Sequence, residues 1–217
     1  MAKPLMIALP KGRIQEESMA LLEKIGWGCP EMFSGSRKLI FTRDDLQVSF
    51  MTVRATDVPT YVHHGAADIG ICGKDTLEET RYDLCEPLDL GFGVCDVVVA
   101  EPAGFSERVP GYNGTVVATK FVNIAERFFA AKGVDVELIK LYGSIELAPL
   151  VGLSGRIVDI VETGETLRQN GLIIKEKIFT SSCRVVVNRT SMKTKFDRIQ
   201  QLIEQLRAMI VSNAPTG

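Results

Sequence analysis

Residues Asp159 to Leu172 read DIVETGETLRQNGL and follow the apolar-leaning Ser154–Val158. The pattern predicts a strand running into a Thr-Gly-x-Thr turn and then a short helix. A turn at a helix N-terminus presents unpaired N–H groups at the positive end of the helix dipole, a ready site for a phosphate. Gly164 lets the backbone come close to the anion, and the Thr163 and Thr166 hydroxyls add donors. The carboxylates of Asp159 and Glu162 would repel a phosphate but suit the neutral hydroxyls of a ribose attached to it. Phosphate plus sugar hydroxyls makes a ribose 5-phosphate site. A plainer reading of the same residues stays open, in which Thr163 caps the helix and Glu165 in the first turn complements its dipole.

A second cluster of candidates is cationic. Lys11, Gly12 and Arg13 stand between the first predicted strand and the first predicted helix, a preferred ligand position in α/β folds. Two cations either side of a flexible glycine can face one anion, although a solvated basic turn has the same sequence. Arg37 and Lys38 follow the turn-like Ser34-Gly35-Ser36, and Arg54 ends a predicted strand. Several cations at strand or loop ends in one half of the chain point to a polyphosphate site.

The elements needed to position these residues alternate along the chain. Leu5–Leu9 reads as a strand, Ile14–Ile25 as a helix closed by Gly26, and KLIFT with QVSFMTV as a hairpin about Arg43-Asp44-Asp45. Thr56-Asp57-Val58-Pro59 reads as a helix start with a polar cap, DIGIC (68–72) as a buried strand, and Gly73-Lys74-Asp75 as another helix start. GFGVCDVVVA reads as a strand crossing a sheet centre. Glu101–Gly114 is rich in Pro and Gly and marks a boundary. Beyond it strand and helix alternate three times, up to TGETLRQNG, as in a parallel α/β sheet. IIKEKIF and CRVVVNR read as further strands. A long amphipathic helix over Met192–Ile210 carries Phe196, Ile199, Leu202, Leu206 and Ile210 on one stripe.

The expected fold class is α/β in two lobes, residues 1–93 with 180–217 and residues 94–179, with the active site in a cleft between them.

With 217 residues, 46% apolar and 24% charged, the chain has the composition of a globular protein with a proper core. A net charge of −2 gives no general attraction to nucleic acid or an anionic membrane. No segment approaches the roughly 18 apolar residues of a membrane span, and the apolar run before Pro10 is too short for a signal peptide. Five cysteines without a CxxC pair read as reduced thiols, so the expected location is cytoplasmic. Cys72 and Cys95 read as small core residues, His63 and His64 as a helix end, and Asp57 and Asp75 as caps. Lys193 and Lys195, at the start of the last helix, are expected to face solvent or a partner.

The late stretch resembles the ribose-phosphate loop of type I phosphoribosyltransferases, except that Val158 stands where a second acid belongs. LPKGR, VRATDVPTYVHHGAADIGICGKD and DIVETGETLRQNGL together, in order and spacing, resemble the ATP phosphoribosyltransferase family, over essentially the whole chain. That resemblance implies lobes like those of type II periplasmic binding proteins. It also implies transfer of phosphoribosyl from phosphoribosyl pyrophosphate to N1 of ATP, the first step of histidine biosynthesis. By the same resemblance Arg13 and Arg37 stabilise the leaving pyrophosphate, and Lys11, Gly12, Arg54 and Gly73 bind the nucleotide and polyphosphate. Asp159, Glu162, Thr163, Gly164, Glu165 and Thr166 hold the ribose phosphate. Mg²⁺ is expected on the pyrophosphate oxygens rather than in a protein cage. Since the chain ends one helix after CRVVVNR, it is similar to the short form of the family. That form implies homodimers within a larger hetero-oligomer containing a regulatory subunit resembling histidyl-tRNA synthetase. Two alternatives stay open: a non-catalytic small-ligand-binding protein of the same fold, and a phosphoribosyltransferase acting on another base.

Overall fold

The computed structural model describes residues 4–35, 37–105 and 115–213. The chain opens with β1 (Leu5–Pro10) and α1 (Arg13–Lys24), followed by the hairpin β2 (Ile40–Arg43) and β3 (Val48–Val53). Next come α2 (Val58–His63), β4 (Ile69–Gly73), α3 (Lys74–Thr80) and β5 (Cys85–Asp89). The middle of the chain forms β6 (Cys95–Pro102), β7 (Thr115–Thr119), α4 (Val122–Ala131), β8 (Val136–Lys140), α5 (Leu147–Leu150), β9 (Arg156–Val161), α6 (Glu165–Gln169) and β10 (Leu172–Ser181). It closes with β11 (Cys183–Val187), α7 (Arg189–Thr194) and α8 (Phe196–Asn213). Two compact units result, one of residues up to Gly93 and from Ser182 on, the other Val94–Ser181.

In the first unit six strands lie in the order β2-β3-β1-β4-β11-β5. Strand β1 runs parallel to β3 and β4, while β2 and β11 run against their neighbours. The alternation of side chains divides two cores across this sheet. Leu5, Ile7, Leu9, Val185 and Val187 pack with α1 (Met19, Leu22) and α8 (Ile199, Leu202, Leu206), whereas Ala8 and Val186 pack with Val58 and Val62 of α2. Helix α2 sits so close that a Cβ on Gly70 would lie 2.6 Å from Val58 Cγ1, which only glycine tolerates.

In the second unit the order is β10-β6-β9-β7-β8. Strands β7, β8 and β9 are parallel, but β6 runs against both β9 and β10, so the sheet is mixed. Val97, Val99, Val117 and Val158 face Phe121, Ile124 and Phe129 of the α4 side. Val98, Ala118 and Ile157 face Ile145, Ala148 and Leu167 of the α5 and α6 side. The central strand is therefore β9; β6 lies beside it and reads as central because helices cover both its faces.

Other expectations change as well. The Glu101–Gly114 segment lies inside the second unit, since β6 and β7 belong to one sheet; residues 106–114 of it fall outside the described residues. Strand β5, with little period-2 signal in Cys85–Asp89, was not anticipated. The long C-terminal helix breaks at Lys195 (φ −126°, ψ 29°). There the Lys195 ammonium meets Asp68 at 2.7 Å instead of facing solvent, while Phe196 is 52% exposed and off the buried stripe. Asp57 makes no side-chain cap, because its own backbone is already helical (φ −95°, ψ −18°).

Candidate functional site

In each unit the candidate residues collect where parallel strands end. In the first, β1, β3 and β4 finish side by side, the Lys11 N–H donating to the Val53 carbonyl at 2.9 Å. That edge carries Lys11, Gly12 and Arg13 after β1, Arg54 after β3 and Gly73 at the end of β4. Arg37 reaches the same edge by a different route. Strand β2 runs against β3, and the Thr52 N–H donates to the Leu39 carbonyl at 3.0 Å, so the segment leading into β2 lies where β3 finishes. Gly12 has φ 104°, a conformation that side chains avoid, and it lets the chain turn straight from β1 into α1.

Lys11, Arg13, Arg37 and Arg54 are all exposed. Arg13 holds Glu17 at 3.4 Å, a surface pair that a polyphosphate would outcompete. Among the described residues no ion pair engages Lys11, Arg37 or Arg54. A pocket of about 250 Å³ in this unit, lined by Lys74, Glu78, Arg81, Tyr82 and Glu86, contains none of these candidates. Its Lys74 ammonium is shared by Glu86 at 2.8 Å and Glu78 at 3.1 Å, so that charge is already balanced.

In the second unit β7, β8 and β9 end together, and the Asp159–Thr166 stretch occupies the end of β9. Gly164, at φ 77°, is the residue that enters α6, and the first intrahelical bond runs from the Arg168 N–H to the Gly164 carbonyl at 3.0 Å. The N–H groups of Glu165, Thr166 and Leu167 precede that bond and point out of the helix end. Thr163 does not occupy the cap position; its hydroxyl only receives the Glu165 N–H at 3.4 Å. Helix α6 is five residues long, too short for a full macrodipole. An anion at this turn would therefore be attracted by local N–H groups and the exposed hydroxyls of Thr163 and Thr166.

The carboxylates differ in their environments. Glu162 is exposed beside the turn. Glu165 is tied along its own helix to Arg168 Nη2 and Gln169 Nε2, both at 2.7 Å, and Arg168 holds its carboxyl below the usual range. What Glu165 offers the turn is its N–H. Asp159 is the most enclosed of the three, and burial pushes its carboxyl up against the pull of Lys120 at 3.5 Å and of the Ile160 N–H at 2.8 Å. Glu146, which precedes α5, pushes it further up.

Lys120 and Glu146 were missed in the sequence. Lys120 follows β7 as Lys11 follows β1, so the rule that strand ends precede ligands could have found it. Glu146 was hidden inside a stretch read simply as helix. Among the described residues no group of three or more His, Cys, Asp or Glu side chains could hold a metal ion. No helix among them is long and apolar enough to cross a membrane.

Residues 54–208 match the family model for ATP phosphoribosyltransferase. The chain belongs to the ATP phosphoribosyltransferase family. An ATP phosphoribosyltransferase of Citrifermentans bemidjiense is 58% identical over 94% of this chain and 97% of its own length. One from Syntrophotalea carbinolica is 55% identical over 99% of both. Among solved structures, a chain of the ATP phosphoribosyl transferase (HisG:HisZ) complex from Thermotoga maritima matches with TM-score 0.84 and 38% identity, covering 96% of this chain and all of that one. The periplasmic aliphatic sulphonate binding protein SsuA from Escherichia coli shares the fold at TM-score 0.57 and 14% identity, over 97% of this chain and 73% of that one. The fold class of this chain is thus the two-lobed α/β class of type II periplasmic binding proteins.

Proposed function

We propose that this chain transfers the phosphoribosyl group of phosphoribosyl pyrophosphate to N1 of the adenine of ATP. The products are 1-(5-phosphoribosyl)-ATP and pyrophosphate, and the reaction is the first step of histidine biosynthesis. The observation that carries this reading is a Thr-Gly-x-Thr turn at the end of β9, with enclosed Asp159 before it, in a chain 58% identical to an ATP phosphoribosyltransferase.

The N1 lone pair forms the new bond at C1 of the ribose with inversion, and pyrophosphate leaves with the electrons of the broken C–O bond. Positive charge grows on the sugar ring and negative charge on the leaving group. Rate acceleration then comes from positioning and from aimed charge rather than from a strong base. Asp159 and Glu162 receive the ribose hydroxyls, and Asp159 lends negative charge to the ring. Thr163, Gly164, Glu165 and Thr166 hold the 5-phosphate through N–H and hydroxyl groups. Arg13 and Arg37 take up charge on the departing pyrophosphate, with Lys11, Gly12, Arg54 and Gly73 along the nucleotide and polyphosphate. Mg²⁺ bound with the pyrophosphate would supply neutralising charge there, and since no cluster of His, Cys, Asp or Glu among the described residues could hold it, the substrate rather than the protein would carry it.

The functional assembly in this reading is a homodimer within a cytoplasmic hetero-oligomer that includes a regulatory subunit of the histidyl-tRNA synthetase kind. The solved relative from Thermotoga maritima, a HisG:HisZ complex, supports a partner of that sort. A purely ligand-binding role has only the fold behind it, at 14% identity.

Purified chain and partner, supplied with ATP, phosphoribosyl pyrophosphate and Mg²⁺, should form phosphoribosyl-ATP, seen by ultraviolet absorbance and mass. No product with the partner present overturns the reading, and product with a different base redirects it.

A further inference from the structure

The side chain nearest Asp159 with opposite charge is Lys120, and its turn is braced on β9. Strand β7 ends at Thr119, whose buried hydroxyl donates to the Val158 carbonyl at 2.7 Å and accepts from the Phe121 N–H at 2.8 Å. The residue between these two anchors is Lys120. Its ammonium lies 4.8 Å from the centre of the Phe121 ring and 3.5 Å from Asp159 Oδ1, which also receives the Ile160 N–H. Both side chains are only partly open to solvent, 35% for Lys120 and 19% for Asp159, so their attraction is screened less than that of a surface pair.

From this geometry we propose that Lys120 is a positioning residue for the transfer, holding the Asp159 carboxylate ionised and aimed at the ribose. The proposal rests on the phosphoribosyl-transfer reading above. A protonated Asp159 would carry no negative charge to meet the positive charge that grows on the sugar. It would also offer a donor where ribose hydroxyls need an acceptor.

The surroundings explain why a neighbour is needed. Across the sheet from Asp159 stands Val98 of β6, and Ile157 and Val161 flank it on its own strand face. Glu146 adds a like charge from the start of α5. Burial and Glu146 both favour the protonated form; Lys120, from the turn after β7, is the cation that opposes them. Thr119 acts one step further back, since its two hydrogen bonds fix the distance between the turn and β9.

The test compares the parent with Lys120→Met and Lys120→Arg, each with the partner subunit, ATP, phosphoribosyl pyrophosphate and Mg²⁺. For Lys120→Met, kcat is expected to fall about tenfold or more with KM for ATP unchanged. The acid limb of kcat/KM for phosphoribosyl pyrophosphate should move up by roughly one pH unit, and Lys120→Arg should restore it. Carbon NMR of the Asp159 carboxyl, without substrates, should show the same upward shift in the Met variant. Thermal unfolding checks the fold, and Lys120→Gln serves the same arm if the Met variant does not fold. An unmoved acid limb and carboxyl titration in an active enzyme overturn this inference alone. A loss confined to KM for phosphoribosyl pyrophosphate at every pH also overturns it, because that marks a direct phosphate contact. A parent that makes no product overturns the transfer reading, while the NMR titration still decides whether Lys120 controls Asp159.

Discussion

Arg37 stands in an exposed segment that the β2–β3 pairing brings to the edge where β3 ends, and its guanidinium has no ion-pair partner among the described residues. In the proposed reaction that charge would act on the leaving pyrophosphate rather than on the stability of the fold. Replacing Arg37 with Ala is expected to slow the single-turnover chemical step by about 10²–10³-fold, the usual cost of losing one aimed charge, while ATP affinity changes little. Rapid-quench kinetics beside equilibrium ATP binding would check this; an unchanged chemical step places leaving-group stabilisation on another residue. At this scale the sequence was informative where backbone conformation decides the residue. Gly12 and Gly164 stand at φ 104° and 77°, where a tight strand-to-helix turn calls for glycine. It was silent on side-chain pairing. Glu165 is bound to its own helix and Asp159 to a lysine 39 positions earlier in the chain, contacts that no local pattern encodes.

The C-terminal helices show both the reach and the limit of periodicity among the elements. Ile199, Leu202 and Leu206 repeat at helical spacing and do bury against the first sheet. The same spacing ran on through Lys195, where the helix breaks. The cause is tertiary: Asp68, 6% exposed, accepts from the Met6 N–H at 2.8 Å, the Ser191 hydroxyl at 2.6 Å and the Lys195 ammonium at 2.7 Å. That carboxylate joins the start of β1 to the junction of α7 and α8. Lys195→Met should lower unfolding free energy by about 1–3 kcal/mol, the range for leaving a buried acceptor short of a charged partner. The lower part of that range is expected, since the lysine side chain is 29% exposed and Asp68 keeps two other donors. Urea unfolding measures it, and an unchanged midpoint would mean the contact contributes nothing net. Strand β5 went unseen for a related reason: its register against β11 supplies order that its own alternation does not.

For the whole molecule, the path of the chain matters most. The second unit is one continuous segment, and its first and last strand residues, Cys95 and Ser181, are paired across β6 and β10. A segment with its own cores and adjacent ends should fold when excised. Residues 94–181 expressed alone are expected to unfold in a single cooperative thermal transition, followed by circular dichroism; a non-cooperative melt would show that the first unit is needed. The first unit is assembled from both ends of the chain and lacks that continuity. Sequence alone determined the α/β class and the alternation of elements, and it marked the residues proposed for phosphate, ribose and polyphosphate, because periodicity, turn chemistry and charge are local properties. Tertiary structure decided that β6 runs against its neighbours, that Arg37 joins Lys11 and Arg54 at one sheet edge, and that Lys120 faces Asp159. These depend on strand order and register, which arise from hydrogen bonding between segments far apart in the chain and leave no mark on any single stretch of residues.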